Sequence, residues 1–276
     1  MTWHARLDLH YTCANSTTTV KHEHSGPLRI LKSLYPEGTG ICHNVLIHPP
    51  SGLVGGDTLD ILIDLSQSAH ALITTPGATR FYKSDSMWAT QDVQVKMKDT
   101  SKLEWLPLET LAYGGCMARN RCAFDLQDES ELIAWDVTAL GMPSANLPFT
   151  KGLIEQHFEL KRHWLDKGVI KADDHILLNS PLGLNRKKCL ATLVFASAMP
   201  MSDAKRNRIL DLTRNVISLN ETPNLVGATS PGSRVIVVRA LSDLVEPSMR
   251  LMRKIWLEWR SQIWSLDSVM PRIWAL

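Results

Sequence analysis

The feature that most constrains this chain is an alternation of apolar and polar residues at every second position. Val93, Val95 and Met97 share one parity while Gln94, Lys96 and Lys98 share the other, and Leu59, Ile61, Ile63 and Leu65 alternate with Thr58, Asp60 and Asp64. Side chains of an extended strand point alternately to opposite faces, so each stretch predicts a strand with one buried face. Further strands are predicted over 69–75, 103–106, 132–137, 154–164, 169–178, 190–197 and 234–241, most of them separated by Gly, Pro, Asn or Asp.

Two helices interrupt this pattern. Ser202 is placed to cap one that runs to about Ser218, with Ile209, Leu212 and Val216 on a stripe and Lys205, Arg206 and Arg208 unfavourably near its positive end. The second is predicted to begin at Pro247 and carries Met252, Ile255, Trp256, Trp259 and Ile263 at helical spacing. Arg250, Arg253, Lys254 and Arg260 are expected on the remaining surface of that helix. Many strands in series with two late helices exclude an alternating α/β plan. They predict a mostly β fold, either a sandwich or a strand-wound solenoid. No linker or repeat of fixed period divides the chain, so residues 1–276 read as a single domain.

With 276 residues, 44% of them hydrophobic, the chain can fill a sizeable core. Thirty basic against 28 acidic residues give a net charge of +2. With no long run of Lys or Arg, nothing advertises a nucleic-acid or anionic-membrane surface, and a protein partner or small solute is the better expectation. The first 20 residues lack the apolar run of a secretory signal, and the uncharged stretch 38–56 contains Pro49 and Pro50, so a soluble cytoplasmic protein is expected. Five scattered cysteines without a Cys-x-x-Cys pair argue for free thiols rather than a disulfide framework or structural zinc.

Two acids stand out. Asp57 follows Gly52-Leu-Val-Gly-Gly and shares the parity of Leu59, so it either closes a tight turn through its own side chain or serves as a functional carboxylate. The glycines do not form a phosphate loop, because neither Gly-x-Gly-x-x-Gly nor a following Lys-Ser/Thr is present. Asp136 follows Leu132, Ile133, Ala134 and Trp135, a strand apolar on both faces. A carboxylate in such a setting must find a partner, bind water or a cation, or stay protonated, unless it merely caps the strand's end. His43 and His48 lie five apart and point to opposite faces of a strand, which is poor geometry for shared metal ligation; His22 and His24 share a parity in a solvated segment. Neither Gly-x-Ser-x-Gly nor His-Glu-x-x-His occurs, and Glu104 and Glu109 are expected in structural or docking roles rather than in catalysis.

Gly26-Pro-Leu-Arg-Ile-Leu-Lys-Ser-Leu-Tyr-Pro-Glu37, Cys42-His43, His48-Pro-Pro-Ser-Gly-Leu-Val-Gly-Gly-Asp57, Thr75-Pro-Gly-Ala-Thr-Arg-Phe-Tyr-Lys-Ser84, Leu103-Glu-Trp-Leu-Pro107, Leu132-Ile-Ala-Trp-Asp136 and Pro271-Arg-Ile-Trp274 follow one another in an order and spacing that resemble the UreD (UreH) family of urease accessory proteins. The resemblance spans nearly the whole chain and is weakest over 154–185. It implies a non-enzymatic maturation factor with a β-helix-like winding of strands and two helices near the C-terminal part. It further implies docking on apo-urease, binding of the accessory protein UreF and the GTPase UreG, and passage of nickel through an internal channel, with no stably bound cofactor. Asp57, Thr79 and Asp136 match positions proposed to line that channel, where Asp57 and Asp136 would hold nickel in transit. Ser51 and Leu108 depart from the family pattern, where glycine and glutamine are usual. The alternative is a β-rich interaction module with no metal-conducting role. At the C-terminus, Trp256, Trp259, Arg272 and Trp274 admit both an interface reading and a core-packing one, since Trp and Arg are favoured anchors at protein contacts.

Overall fold

The computed structural model describes residues 2–220, 225–267 and 269–275. Its alternating segments become strands that the chain lays down in rotation on three ladders. Thr58–Leu65, Ala89–Met97, Cys116–Leu126 and Gly152–Leu160 pair in parallel in one sheet, joined at one side by His4–Ala14. Ile41–Ile47, His70–Thr74, Lys102–Leu106 and Glu131–Met142 pair in parallel in a second sheet. Thr79–Phe81 and Thr110–Ala112 form a short third ladder against the later half of Glu131–Met142. Parallel neighbours need a crossover, and here each crossover is a further strand of the winding rather than a helix. The solenoid is therefore the architecture adopted, in place of the sandwich.

Equivalent corners stack on one another. Gln67, Ser68, Asp99 and Asp128 all have φ between 53° and 59°, and the Asp99 carboxylate accepts the Gln67 N–H while the Asp128 carboxylate accepts the Asp99 N–H. Short polar side chains tolerate the left-handed backbone that such a corner needs. Antiparallel strands close the winding at its ends: Thr17–Ser25 and Trp164–Lys171 edge the first sheet, while Cys189–Ser197, Val235–Ser242 and Leu225–Gly232 extend the second.

One core fills the solenoid's interior, with Leu59, Ile61, Val93, Phe124 and Ile154 among its members. A second lies between the outer face of the second sheet and two helices, α2 (Asp203–Ser218) and α3 (Val245–Trp264), which follow the short α1 (His175–Asn179). Ser202 caps α2 by accepting the Lys205 N–H, as the sequence predicts. Helix α3 starts two residues before Pro247.

Three expectations are corrected. The predicted strand 169–178 ends at Lys171, because Asp174 accepts the Leu177 N–H and caps α1 instead. The predicted strand 154–164 turns back near Arg162, at φ 69°, to form a hairpin. Arg260, expected on the surface of α3, is wholly buried.

Candidate functional site: a polar thread between two cavities

Strand alternation sends Leu132, Ala134, Asp136 and Thr138 into the solenoid's interior, while Ile133, Trp135 and Val137 face the helices. Both faces of that strand are thus covered, the pattern that made Asp136 conspicuous. On the opposing sheet Gln91, Asn120 and Gln156 occupy one register, each pairing with the next across parallel strands. Facing them, Thr79, Thr110 and Thr138 occupy one register of the third ladder.

These two polar columns meet at Asp136. Its Oδ2 accepts from Asn120 Nδ2 at 2.8 Å, and its Oδ1 accepts from Thr138 Oγ1 at 2.9 Å and Gln156 Nε2 at 3.0 Å. Gln156 also donates to Thr138 at 2.8 Å, and Gln91 donates to Asn120 at 3.1 Å. The result is a continuous hydrogen-bonded thread through an otherwise apolar interior.

A cavity lies at each end. The first, of about 170 Å³, is lined by His48, Thr75, Thr79, Gln91 and Trp105 among others. The second, of about 580 Å³, is lined by Asp136, Gln156, Thr192 and apolar residues including Phe158 and Ile170, with the Asp166–Arg239 ion pair of 2.7 Å in its wall. Gln91 belongs to the first cavity and Asp136 to the second, so one intervening residue, Asn120, joins them.

Burial raises the Asp136 carboxyl to about 6, with the charge of Asp166 adding to the rise and the three donors opposing it. Burial also pushes the Cys122 thiol well up, helped by the nearby Asp136 charge, so this soft ligand stays protonated at neutral pH. Among the described residues no group of three or more His, Cys, Asp or Glu could hold a metal ion. The site offers sparse, mostly neutral oxygen ligands.

Asp57 is buried, 1% exposed, and both of its oxygens are engaged: Oδ1 accepts from the Trp3 N–H at 3.0 Å and Oδ2 from the Val54 N–H at 2.9 Å. The turn it closes needs Gly56 at φ 93° and Gly52, where a Cβ would stand 2.1 Å from the Tyr82 ring. The turn-closing role is thus realised. Of the three sequence-predicted channel positions, the thread takes in Asp136 and reaches Thr79 through the first cavity, while Asp57 sits outside the hydrogen-bonded chain.

Trp256 and Trp259 pack in the buried face of α3, where Trp259 Nε1 donates to Thr213 and Trp256 Nε1 to Glu104. They are core residues of this chain, not surface anchors. Trp274 is half-buried against Trp135 and Trp256 with its Nε1 on Thr74 Oγ1, and Arg272 is exposed. Sequence reading missed Gln91, Asn120, Thr110, Thr138 and Gln156. Their signal was available, since Gln91 and Asn120 interrupt the apolar parity of Ala89–Met97 and Cys116–Leu126.

The fold and site together define a β-solenoid with a polar thread buried along its interior. Its sequence matches the family model described as UreD urease accessory protein over residues 4–275, and the chain belongs to that family. Relatives named urease accessory protein UreD include those of Variovorax paradoxus, 49% identical over 275 residues, and Albidiferax ferrireducens, 50% identical over 276, each covering 100% of both chains. That of Leptothrix cholodnii is 43% identical over 99% of both. No helix among the described residues is long and apolar enough to cross a membrane.

Proposed function

We propose that this chain is a scaffold for urease maturation that docks apo-urease, binds UreF and through it UreG, and lets nickel pass through its interior. The observation that carries the reading is the hydrogen-bonded thread joining two cavities through Gln91, Asn120 and Asp136. A cation crossing protein must exchange water for a few oxygen ligands, each favourable enough to admit it and weak enough to release it. A single carboxylate among amides and hydroxyls suits that need, whereas a cluster of imidazoles or thiolates would retain nickel. Protein docking is supported by apolar exposure beside the second cavity, where Ile176 and Leu182 are 82% and 100% exposed. Arg272 and the exposed part of Trp274 are the remaining interface candidates of the C-terminal tail.

A second reading, an interaction module whose acids only stabilise turns, is favoured by Asp57, whose oxygens are both engaged by backbone N–H groups. Nickel counted in urease co-expressed with its accessory proteins separates the two. Losing one oxygen ligand that lowers the barrier by about 1.4 kcal/mol slows passage about tenfold. Asp136→Ala and Thr79→Val are expected to lower nickel loading by that order while complex assembly persists. Full loading by the double variant leaves the interaction module standing and removes the channel.

A further inference from the structure

We propose that the second cavity is a binding site for a primary aliphatic ammonium, whose head is held by Asp136, Gln156 and Thr192 while its chain lies against the apolar walls. The inference rests on the cavity's own geometry and stands apart from the channel reading. Strand register builds the site. Asp136, Thr192, Arg239 and Gly227 occupy one inward-facing row across four strands of the second sheet, and Gln156 and Gly168 share a row of the first. Leu190, Leu241 and Leu225 form the next row, with Phe158 and Ile170 on the opposing sheet, so apolar side chains border the polar ones. The rows end on Gly168 and Gly227 in the outermost strand of each sheet, where a Cβ would meet nothing within 4 Å. At about 580 Å³, with mostly apolar walls and a few convergent polar groups, the cavity has the size and lining of a small-molecule site.

The polar groups define the head of the ligand. Of roughly four acceptor positions on the Asp136 carboxylate, those facing Asn120, Thr138 and Gln156 are taken, which leaves one on Oδ2. Gln156 donates through Nε2 to Asp136 and Thr138, so its Oε1 remains an acceptor. Thr192 Oγ1 makes no hydrogen bond among the described residues. All three side chains line the cavity, and all three residues keep accessible surface. They offer an acceptor each, and an ammonium carries three donors. Arg239 is engaged by Asp166 at 2.7 Å, so among the described lining residues Asp136 is the acid left without a cation. Its carboxyl, raised to about 6, is an anion at about pH 7.5. The walls define the rest. A bare metal ion gains nothing from them, whereas an alkyl chain gains about fourfold in affinity for each methylene they take from water.

Calorimetric titration of the full chain with n-hexylamine hydrochloride, n-butylamine hydrochloride and hexan-1-ol at about pH 7.5 tests the assignment. Hexylamine is expected to bind roughly tenfold more tightly than hexan-1-ol, the scale of a hydrogen bond to a charged group, and about fifteenfold more tightly than butylamine. Asp136→Asn is expected to remove the preference for amine over alcohol; should that variant not fold, Thr192→Val is expected to reduce it. Gly168→Leu places a side chain in the open end of the cavity and is expected to weaken amine and alcohol alike. Equal affinity for hexylamine and hexan-1-ol overturns the inference. So does an amine affinity unchanged in a folded variant at Asp136 or Thr192, or in Gly168→Leu. Nickel loading of urease enters none of these readouts, so failure here leaves the channel untouched.

Discussion

The pocket beneath α3 and the solenoid's interior both enclose carboxylates, and they handle them in opposite ways. Beneath α3, Glu37 and Glu104 are matched by the wholly buried Arg260, whose Nη2 donates to both Glu37 oxygens at 2.7 and 2.8 Å and whose Nε lies 3.0 Å from Glu104 Oε2. His43 and His70 complete the group, at 2.8 Å from Glu37 and 2.9 Å from Glu104. In the solenoid's interior, Asp136 meets neutral amides and a hydroxyl, with no cation in contact among the described residues. The outcome is visible in the acids themselves. Burial pushes against ionisation of Glu37, but the hydrogen bonds from His43 and Arg260 outweigh it and hold the carboxyl below its usual range. At Asp136 burial prevails and the carboxyl rises to about 6. A compensated charge fastens a helix to a sheet. An uncompensated one remains able to take a proton or an ion.

The largest expected effect breaks the compensated side. Arg260→Met takes the guanidinium away from two buried carboxylates and leaves them only their His43, His70 and Trp256 partners, which costs about 3–5 kcal/mol. In a chain of this size that lowers Tm by on the order of 10 °C, measurable by calorimetry. Because Glu37 is held low in the folded state, its stabilising contribution is present above the ordinary glutamate range and lost as pH falls through the lowered value. The gap between variant and parent is therefore expected to narrow in acid. A gap that does not depend on pH contradicts the ion-pair account.

Asp136 carries the opposite sign. Its raised value means that the protonated form favours folding, a contribution complete below the ordinary aspartate range and lost as pH rises through about 6. The stability of Asp136→Asn relative to the parent is thus expected to improve from pH 4 to pH 8 by about 1–3 kcal/mol, since each tenfold change in proton affinity on folding is worth roughly 1.4 kcal/mol. Parallel melting curves across that range would show that this acid is compensated after all. The smallest effect lies at the rim of the first cavity, where backbone rather than charge is at issue. Ser51 sits at φ 64°, a conformation that glycine adopts without steric cost, so Ser51→Gly is expected to stabilise by about 0.5 kcal/mol in chemical denaturation.

Much of this was legible in the residues. Period-two alternation marked Thr58–Leu65 and Ala89–Met97 as half-buried strands, and the doubly apolar run before Asp136 marked that acid as conspicuous on a strand covered on both faces. The knot beneath α3 was not legible, because Glu37 and Arg260 stand 223 positions apart and Arg260 read as one more charge on a helix surface. Trp256 and Trp259 were open between core and interface, since a stripe of Trp suits either; packing against the second sheet decided for the core. For Asp57, the turn reading and the functional reading differ in no residue, and only the fold shows that the Trp3 and Val54 N–H groups engage both of its oxygens in the turn.

By itself the sequence determined which residues turn inward, because strand parity depends on each residue's immediate neighbours alone. It likewise determined family membership, since motif order survives in the linear chain. Tertiary structure decided which inward residues meet. Gln91, Asn120 and Gln156 fall into one row because successive turns of the solenoid stack in register, and that register follows from the corners and the packing of the whole winding. The difference between a carboxylate that fastens and one that stays available is decided there too, since it depends on whether a distant cation arrives beside it.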